Sequence, residues 1–264
     1  MSSHMQHSSE ANSTNDSSLP ETEPRLSPSA KRLKTEHQID RATAQTDPLK
    51  QPSTMSTTSI LETLHLEHVP PTHSVHVAVF RDVENAAFLH QQLLARNADF
   101  EYALIDAGVI TSRLQVLGAA FRAVTAQVAG SMKTPNVHSE MVYDLSPTSN
   151  IVEAYRRHGI TPTSRALVIV KVLVAPPSSA TGTAATDAKA ALTAEDVEKH
   201  LLTHVQGKPV PFTDQTLSEL TDWGRVRKYY KLNGVGWLDG IKDPVAKNRE
   251  MDLLVMSGMA LRGV

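Results

Sequence analysis

A chain of 264 residues carries 26 Lys and Arg against 28 Asp and Glu, a formal net charge of −2. It is therefore no polycationic coat for nucleic acid, and any RNA or DNA site must be a local patch. The absence of cysteine excludes a disulfide framework, a thiolate zinc site and every enzyme built on a cysteine nucleophile. No window approaches 18 consecutive apolar residues and the N-terminus lacks the apolar stretch of a secretory signal, which predicts a soluble intracellular chain with no membrane partner.

Residues 1–59 contain no Phe, Trp, Tyr or Val and are dominated by Ser, Thr, Pro, Asn and Gln. Ordering such a stretch costs roughly 1–2 kcal/mol per residue of backbone entropy. Its few leucines and its isoleucine return only about 1.5–3 kcal/mol each when buried. A disordered Ser/Thr/Pro-rich tail is expected. Within it, Lys31, Arg32 and Lys34 follow Pro28 as a short basic cluster, either a nuclear-import signal or a chance run. Met55 could serve as a second initiator.

A folded domain is expected over 70–264. Val75–Phe80 reads as a strand with β-branched residues at alternate positions. Asp82 is the expected N-cap of a helix over about 83–96, and Tyr102–Ile105 a short strand. Leu114, Leu117, Phe121, Val124 and Val128 recur at helical spacing. Glu140–Leu145 is read as a strand, SPTSN at 146–150 as a turn ending in a helix cap, and Ile151–His158 as a short helix stopped by Gly159. Leu167–Val174, with Lys171 as its one charge, has the texture of a central strand.

Residues 175–190 lack periodicity and read as a flexible loop. Thr193 and Asp196 form an approximate capping box for a helix to about Val205, and Asp214–Leu220 and Trp223–Lys231 suggest two more helices. The Gly-rich stretch 233–244 leads to a last helix over about 249–262. The fold class is α/β in the broad sense: a single mixed α+β domain in which a small sheet packs against helices as a two-layer sandwich.

Tests for catalytic chemistry come back empty. Lys133-Thr134 lacks the glycines of a phosphate loop, because Met132 and Gln127 occupy their positions. Gly234 and Gly236 lack the third glycine of a dinucleotide fingerprint. His200 and His204 are spaced as in a zinc protease, but Leu201 stands where the general base belongs. His65, His68, His73 and His76 flank a Pro-Pro break and suit structural histidines better than a metal site. There is no G-x-S-x-G elbow, and Asp82/Glu84, Asp99/Glu101 and Glu195/Asp196 sit at element ends, where caps explain them. No catalytic residue, metal or cofactor is assigned, which favours a binding or scaffolding role.

Three segments in order carry a resemblance. MKTPNVHSE at 132–140 is followed by LSPTSNI at 145–151, then by a short helix ending in His158-Gly159-Ile160, and the chain closes on Leu261-Arg262-Gly263-Val264. From about Val75 onward the chain resembles the PRPK-binding, TPRKB-like subunit family of the KEOPS (EKC) complex in its fungal form. Ser131, Pro135 and His158 depart from that family's pattern. The resemblance implies a non-catalytic subunit that binds and stimulates the atypical small kinase, an ATPase, beside a separate threonylcarbamoyl transferase and the other subunits. It also implies help in recruiting tRNA by its single-stranded CCA end, for formation of threonylcarbamoyladenosine next to the anticodon. Nuclear location, with cytoplasmic, chromosomal or telomeric roles, and links to telomere maintenance and transcription come with the same resemblance.

A single RNA end needs only a few cations and stacking or apolar platforms. Lys133, Arg113, Arg122 and Arg262 are the basic residues for such a site, with solvated surface charge as the bland alternative for each. Leu254, Val255, Met259 and Leu261 on the last helix would face a partner or else pack in the core. Two other functions stay open: a free-standing RNA-binding module, and an enzyme of unrecognised type.

Overall fold

A computed structural model describes residues 59–175 and 192–262. The tail with its basic cluster, most of the 175–190 loop, and Gly263-Val264 lie outside the described residues. In chain order the elements are β1 (Glu62–Leu64), β2 (His73–Arg81), α1 (Ala86–Leu94), β3 (Ala103–Asp106), α2 (Arg113–Val128), α3 (Val137–Asp144), α4 (Ile151–His158) and β4 (Leu167–Val174). Then follow α5 (Ala194–His204), β5 (Lys208–Val210), α6 (Asp214–Leu220), α7 (Trp223–Tyr229), α8 (Gly236–Gly240) and α9 (Pro244–Ala260).

The sheet is antiparallel throughout, in the order β1-β2-β4-β3, with β5 pairing the far end of β2. Its centre is the long β2/β4 pair, in register from His73↔Val174 to Phe80↔Leu167. Both strands are buried on both faces, as near-continuous apolar runs require. Val75, Val77 and Val79 of β2 join Val168, Val170 and Val172 of β4 under α2, α3, α7 and α9. Ala78 and Phe80 join Leu167 and Ile169 in a second core with residues of α1 and α5. The mixed α+β domain built on one small sheet is thus present, and α1 with α5 adds a third, smaller layer to the two expected.

Several expectations hold in detail. Asn150 caps α4 by accepting the Glu153 N–H at 3.0 Å. Thr193 and Asp196 form the capping box of α5. Others are corrected. Domain structure starts before residue 70, because β1 pairs with Val75–Val77 and Leu61 is buried. Asp82 does not cap α1: it sits at a left-handed φ of 53°. The N–H groups of Val83 and Glu84 bond to the Arg165 and Gln206 carbonyls, so α1 starts only at Ala86. The last helix begins at Pro244, with Asp243 accepting two backbone N–H groups and Pro at its first turn. A short helix, α8, occupies the Gly-rich stretch before it.

The largest correction is α3. Glu140–Asp144 is helical and Leu145 is the C-cap; the helix is started by Asn136, whose side chain accepts the Ser139 N–H at 2.8 Å. The helix is enclosed between α2, α4 and the sheet and is buried almost all round, so no single apolar stripe marks it. On α2 the helix is where the spacing places it, but the faces differ. Gln115, Val116, Ala119, Ala120 and Ala123 point into the core, while Leu114, Phe121 and Val128 are exposed. Small side chains let α2 approach α3 closely, and the large ones are left outside.

Candidate functional site

At one end of the α2–α3 pair lies a groove of about 710 Å³. Its walls come from α2 (Phe121, Arg122, Thr125), the following loop (Ser131, Lys133), α3 (Tyr143, Asp144), the entry to α4 (Ser149, Ile151) and Arg262. Three of the four basic residues singled out in the sequence, Lys133, Arg122 and Arg262, meet here. Arg113 does not. It sits in the first turn of α2, donates to the Glu62 carboxylate at 2.6 and 2.8 Å and lies 4.5 Å over the Phe212 ring. That salt bridge ties β1 to α2 and raises the Arg113 pKa while lowering that of Glu62.

The three that meet differ in how much charge they offer. Arg262 is 5% exposed at its side chain, paired with the equally buried Asp144. It also donates to the carbonyls of Tyr143 and Ser146 and stacks 4.0 Å over the Tyr143 ring. It thereby supplies donors to the unsatisfied C-terminal end of α3 and pins the end of the chain there. Arg122 reaches the same Asp144 at 3.6 Å and donates to the Met259 carbonyl, joining α2 to α9. Burial pushes the Asp144 carboxyl above its usual range, against the pull of Arg262 and Arg122.

Lys133 is exposed and, among the described residues, makes none of the ion pairs. Its loop is fixed from beneath. The buried Glu140 carboxylate accepts the Lys133 N–H at 2.9 Å, the Thr134 N–H at 2.8 Å and the Thr134 hydroxyl at 2.6 Å. Charge-assisted bonds of this kind are stronger than neutral ones, so the Lys-Thr dipeptide is held while the ammonium stays in solvent. The acid at the end of the MKTPNVHSE motif is a loop anchor. Among the described residues the groove then offers one cation outside any ion pair, a neutralised guanidinium floor, hydroxyls from Thr125, Ser131 and Ser149, and apolar walls from Phe121, Tyr143 and Ile151. That suits a flexible anion with planar faces.

The apolar and hydroxyl-bearing wall residues were not named as site residues from the sequence. Phe121 reads there as core, and nothing in its spacing announces its exposure. The four apolar residues of the last helix also separate. Val255 and Met259 are buried in the core and have no surface to offer a partner, Leu254 is half-buried, and Leu261 is exposed, as is Leu253. The α9 helix lies alongside α2: Met256 packs at the Gly118 position, and Thr111 donates to Asp252 at 2.5 Å.

His76, His200 and His204, considered as ligands, are engaged within the fold. Both ring nitrogens of the buried His76 bond, to Thr63 and Ser74. The His200 ring stacks on His204 at 4.2 Å with Nδ1 2.9 Å from the Tyr102 hydroxyl. Among the described residues no group of three or more such side chains could hold a metal ion, and no helix is long and apolar enough to cross a membrane.

Comparison with known proteins fits this architecture. The family described as "Kinase binding protein CGI-121" matches residues 80–263. The chain is 53% identical to the EKC/KEOPS complex subunit CGI121 of Gibberella zeae, across 77% of this chain and 99% of that protein. It is 48% identical to the Neurospora crassa subunit of the same name, with the same coverage, and 33% identical to that of Schizosaccharomyces pombe, across 73% of this chain and 95% of that protein. With the family match running from the end of β2 through the groove and α9, the chain belongs to the CGI-121 family of kinase binding proteins.

Proposed function

We propose that this chain is a non-catalytic subunit of an EKC/KEOPS complex, one that binds and stimulates the complex's small kinase and helps recruit tRNA through its single-stranded 3′ CCA end. The observation that carries the RNA part is the groove, where Lys133 stands free on a loop anchored by Glu140, next to Phe121, Tyr143 and Ile151. A strand end asks for one or two phosphate contacts and a surface to stack on, and needs no basic surface overall. Family membership and the names of its relatives support the kinase part.

The outward sides of α2 and α9, with Leu114, Leu253 and Leu261 exposed, are the kinase-facing surface in this proposal. The chemistry of threonylcarbamoyl transfer belongs to another subunit. The chain works in the nucleus, with Lys31, Arg32 and Lys34 as the import cluster, and its chromosomal and telomeric roles run through the same complex.

Co-purification with the kinase subunit tests this function. The full chain is expected to associate at low salt, Leu253→Glu with Leu261→Glu to abolish the association without unfolding the chain, and the chain alone to show no turnover. Failure to associate at low salt contradicts the proposal. Turnover that survives without partners and dies with one point substitution would instead identify an enzyme.

A further inference from the structure

The Gly-rich stretch between α7 and α8 has no part in the groove, but it carries chemistry of its own. Asn233 and Gly234 form an exposed turn. Gly234 has a φ of 85°, while Asn233 is not among the residues with positive φ, as a type II turn asks of its third and second residues. A Cβ at Gly234 would meet nothing within 4 Å, so no neighbouring atom crowds the turn. Among the described residues the Gly234 N–H donates to no backbone carbonyl and no hydrogen bond holds the Asn233 carboxamide.

The other asparagines among the described residues are placed differently. Asn85 donates to the His204 carbonyl at 2.8 Å and accepts the Gln206 N–H at 3.0 Å. Asn97, Asn136 and Asn150 each accept a backbone N–H two or three residues further on, and Asn248 lies inside α9. Each of these five is followed by a residue with a side chain. Asn233 alone has a glycine after it, whose nitrogen can approach without a Cβ in the way and whose backbone can rotate to let it.

We propose that Asn233 is a site of spontaneous deamidation, and that its isoaspartyl product is a substrate for carboxyl methylation. In the first step the Gly234 nitrogen gives its proton to solvent base and bonds to Cγ of Asn233. The Cγ–Nδ2 bond breaks, and the side-chain nitrogen takes up a proton and leaves as ammonia, which closes a cyclic imide. Water then adds to one imide carbonyl and one of the two C–N bonds breaks. Opening at Cγ gives aspartate. Opening at the backbone carbonyl gives isoaspartate, in which the main chain runs through Cβ and Cγ and the α-carboxylate is free. Water is consumed and ammonia released, with no change of oxidation state.

The fold accommodates that product. Leu232 and Leu238, on either side of the turn, are buried in the main core, and Asp239 pairs with Arg227 of α7 and Lys247 of α9. The extra main-chain carbon is therefore taken up in the open space around Gly234, which leaves the new carboxylate in solvent within reach of a methyltransferase. Asp239-Gly240 is the same pattern with an acid in place of the amide, but its carboxylate is ion-paired on a helix, so it serves as an internal control.

The test incubates the full chain in warm, mildly alkaline buffer. Mass spectrometry then follows the tryptic peptide 232–242, and a protein isoaspartyl methyltransferase with labelled S-adenosylmethionine reports methyl uptake into that peptide. The mass gain of an amide-to-acid conversion is expected at residue 233, on the order of tenfold faster than at the five other described asparagines, with methyl uptake rising in step. Asn233→Gln keeps an amide on a longer arm and should abolish both signals while its thermal melt stays native. Conversion no faster than at the other five overturns the proposal. So does a mass gain without methyl uptake, or uptake into the same peptide that persists in Asn233→Gln, which would place the isoaspartate at Asp239.

Discussion

The floor of the groove and the face formed by α4 and α7 are both rich in arginine, yet they spend it differently. On the floor, Arg262 and Arg122 converge on the buried Asp144 and on the carbonyls of Tyr143, Ser146 and Met259, so their charge is consumed in holding α2, α3 and the chain end together. On the α4–α7 face, Arg156 stands in solvent and shares Glu153 with Arg157. Burial and pairing, not the presence of a basic residue, decide whether a cation is bound into the fold or left to solvent. Lys133, free at the rim while its own backbone is anchored, combines the two roles in one residue.

Breaking the floor has the largest expected effect. Arg262→Ala leaves Asp144 buried with only Arg122 at 3.6 Å, and removing one partner of a buried pair costs about 3 kcal/mol. A urea titration reads it as a lower midpoint at unchanged slope, and Asp144→Asn in the same chain should restore part of the loss. Arg156→Ala, by contrast, should leave the midpoint where it was, as exposed pairs contribute little. Equal effects at the two positions would dissolve the distinction.

A comparable effect is expected from acid beneath the α4–α7 face. His158 is fully buried between Tyr229 and Tyr230. Its Nδ1 lies 3.3 Å from the Ala154 carbonyl, and its Nε2 has no partner among the described residues. Burial pushes its pKa down to about 4, so the folded chain keeps it neutral while the unfolded chain protonates it near 6.5. Its contribution is complete above about pH 6.5 and is lost as pH falls toward 4, by up to about 3 kcal/mol. The buried His138, lowered mainly by desolvation, adds a loss of the same sign. Stability measured across that range should slope steeply, and His158→Phe should flatten it.

A smaller effect is expected at the rim. Glu140→Gln keeps the size of the anchor but removes its charge, costing about 2 kcal/mol through the weakened bonds to Lys133 and Thr134. Thermal melts check the stability, and tRNA affinity should fall as well, because the loop that presents Lys133 loosens.

The strands β2, β3 and β4 were legible because they say the same thing at every level: Leu167–Val174 is rich in β-branched residues and buried on both faces, whereas the three-residue β1 and β5 carry no such run and were not read. The α4 cap and the α5 capping box were legible because they are local hydrogen bonds between residues three apart. The α3 helix was not, because a helix enclosed on all sides shows no stripe; its one helical trace is the four-residue spacing of Glu140 and Asp144, both turned to buried partners. The α2 helix was found, but its large residues were taken for its inner face, since only tertiary packing reveals that alanines fill that side. Of the basic residues of the groove, Lys133 lies in the motif and Arg262 at the chain end, while Arg122 was named only as a cation of the folded part. Sequence could not show that Arg262 and Arg122 are already engaged, that Arg113 is paired with Glu62 of β1, or that Val255 and Met259 lie inside.

The most direct test of the account is the affinity of the full chain for intact and CCA-trimmed tRNA, measured side by side for the native sequence and Lys133→Glu. Trimming should weaken binding to the native chain about tenfold, and Lys133→Glu should weaken intact tRNA by a similar factor while making the two RNAs nearly equal. Equal affinity of the native chain for intact and trimmed tRNA would contradict the claim that the groove holds the strand end.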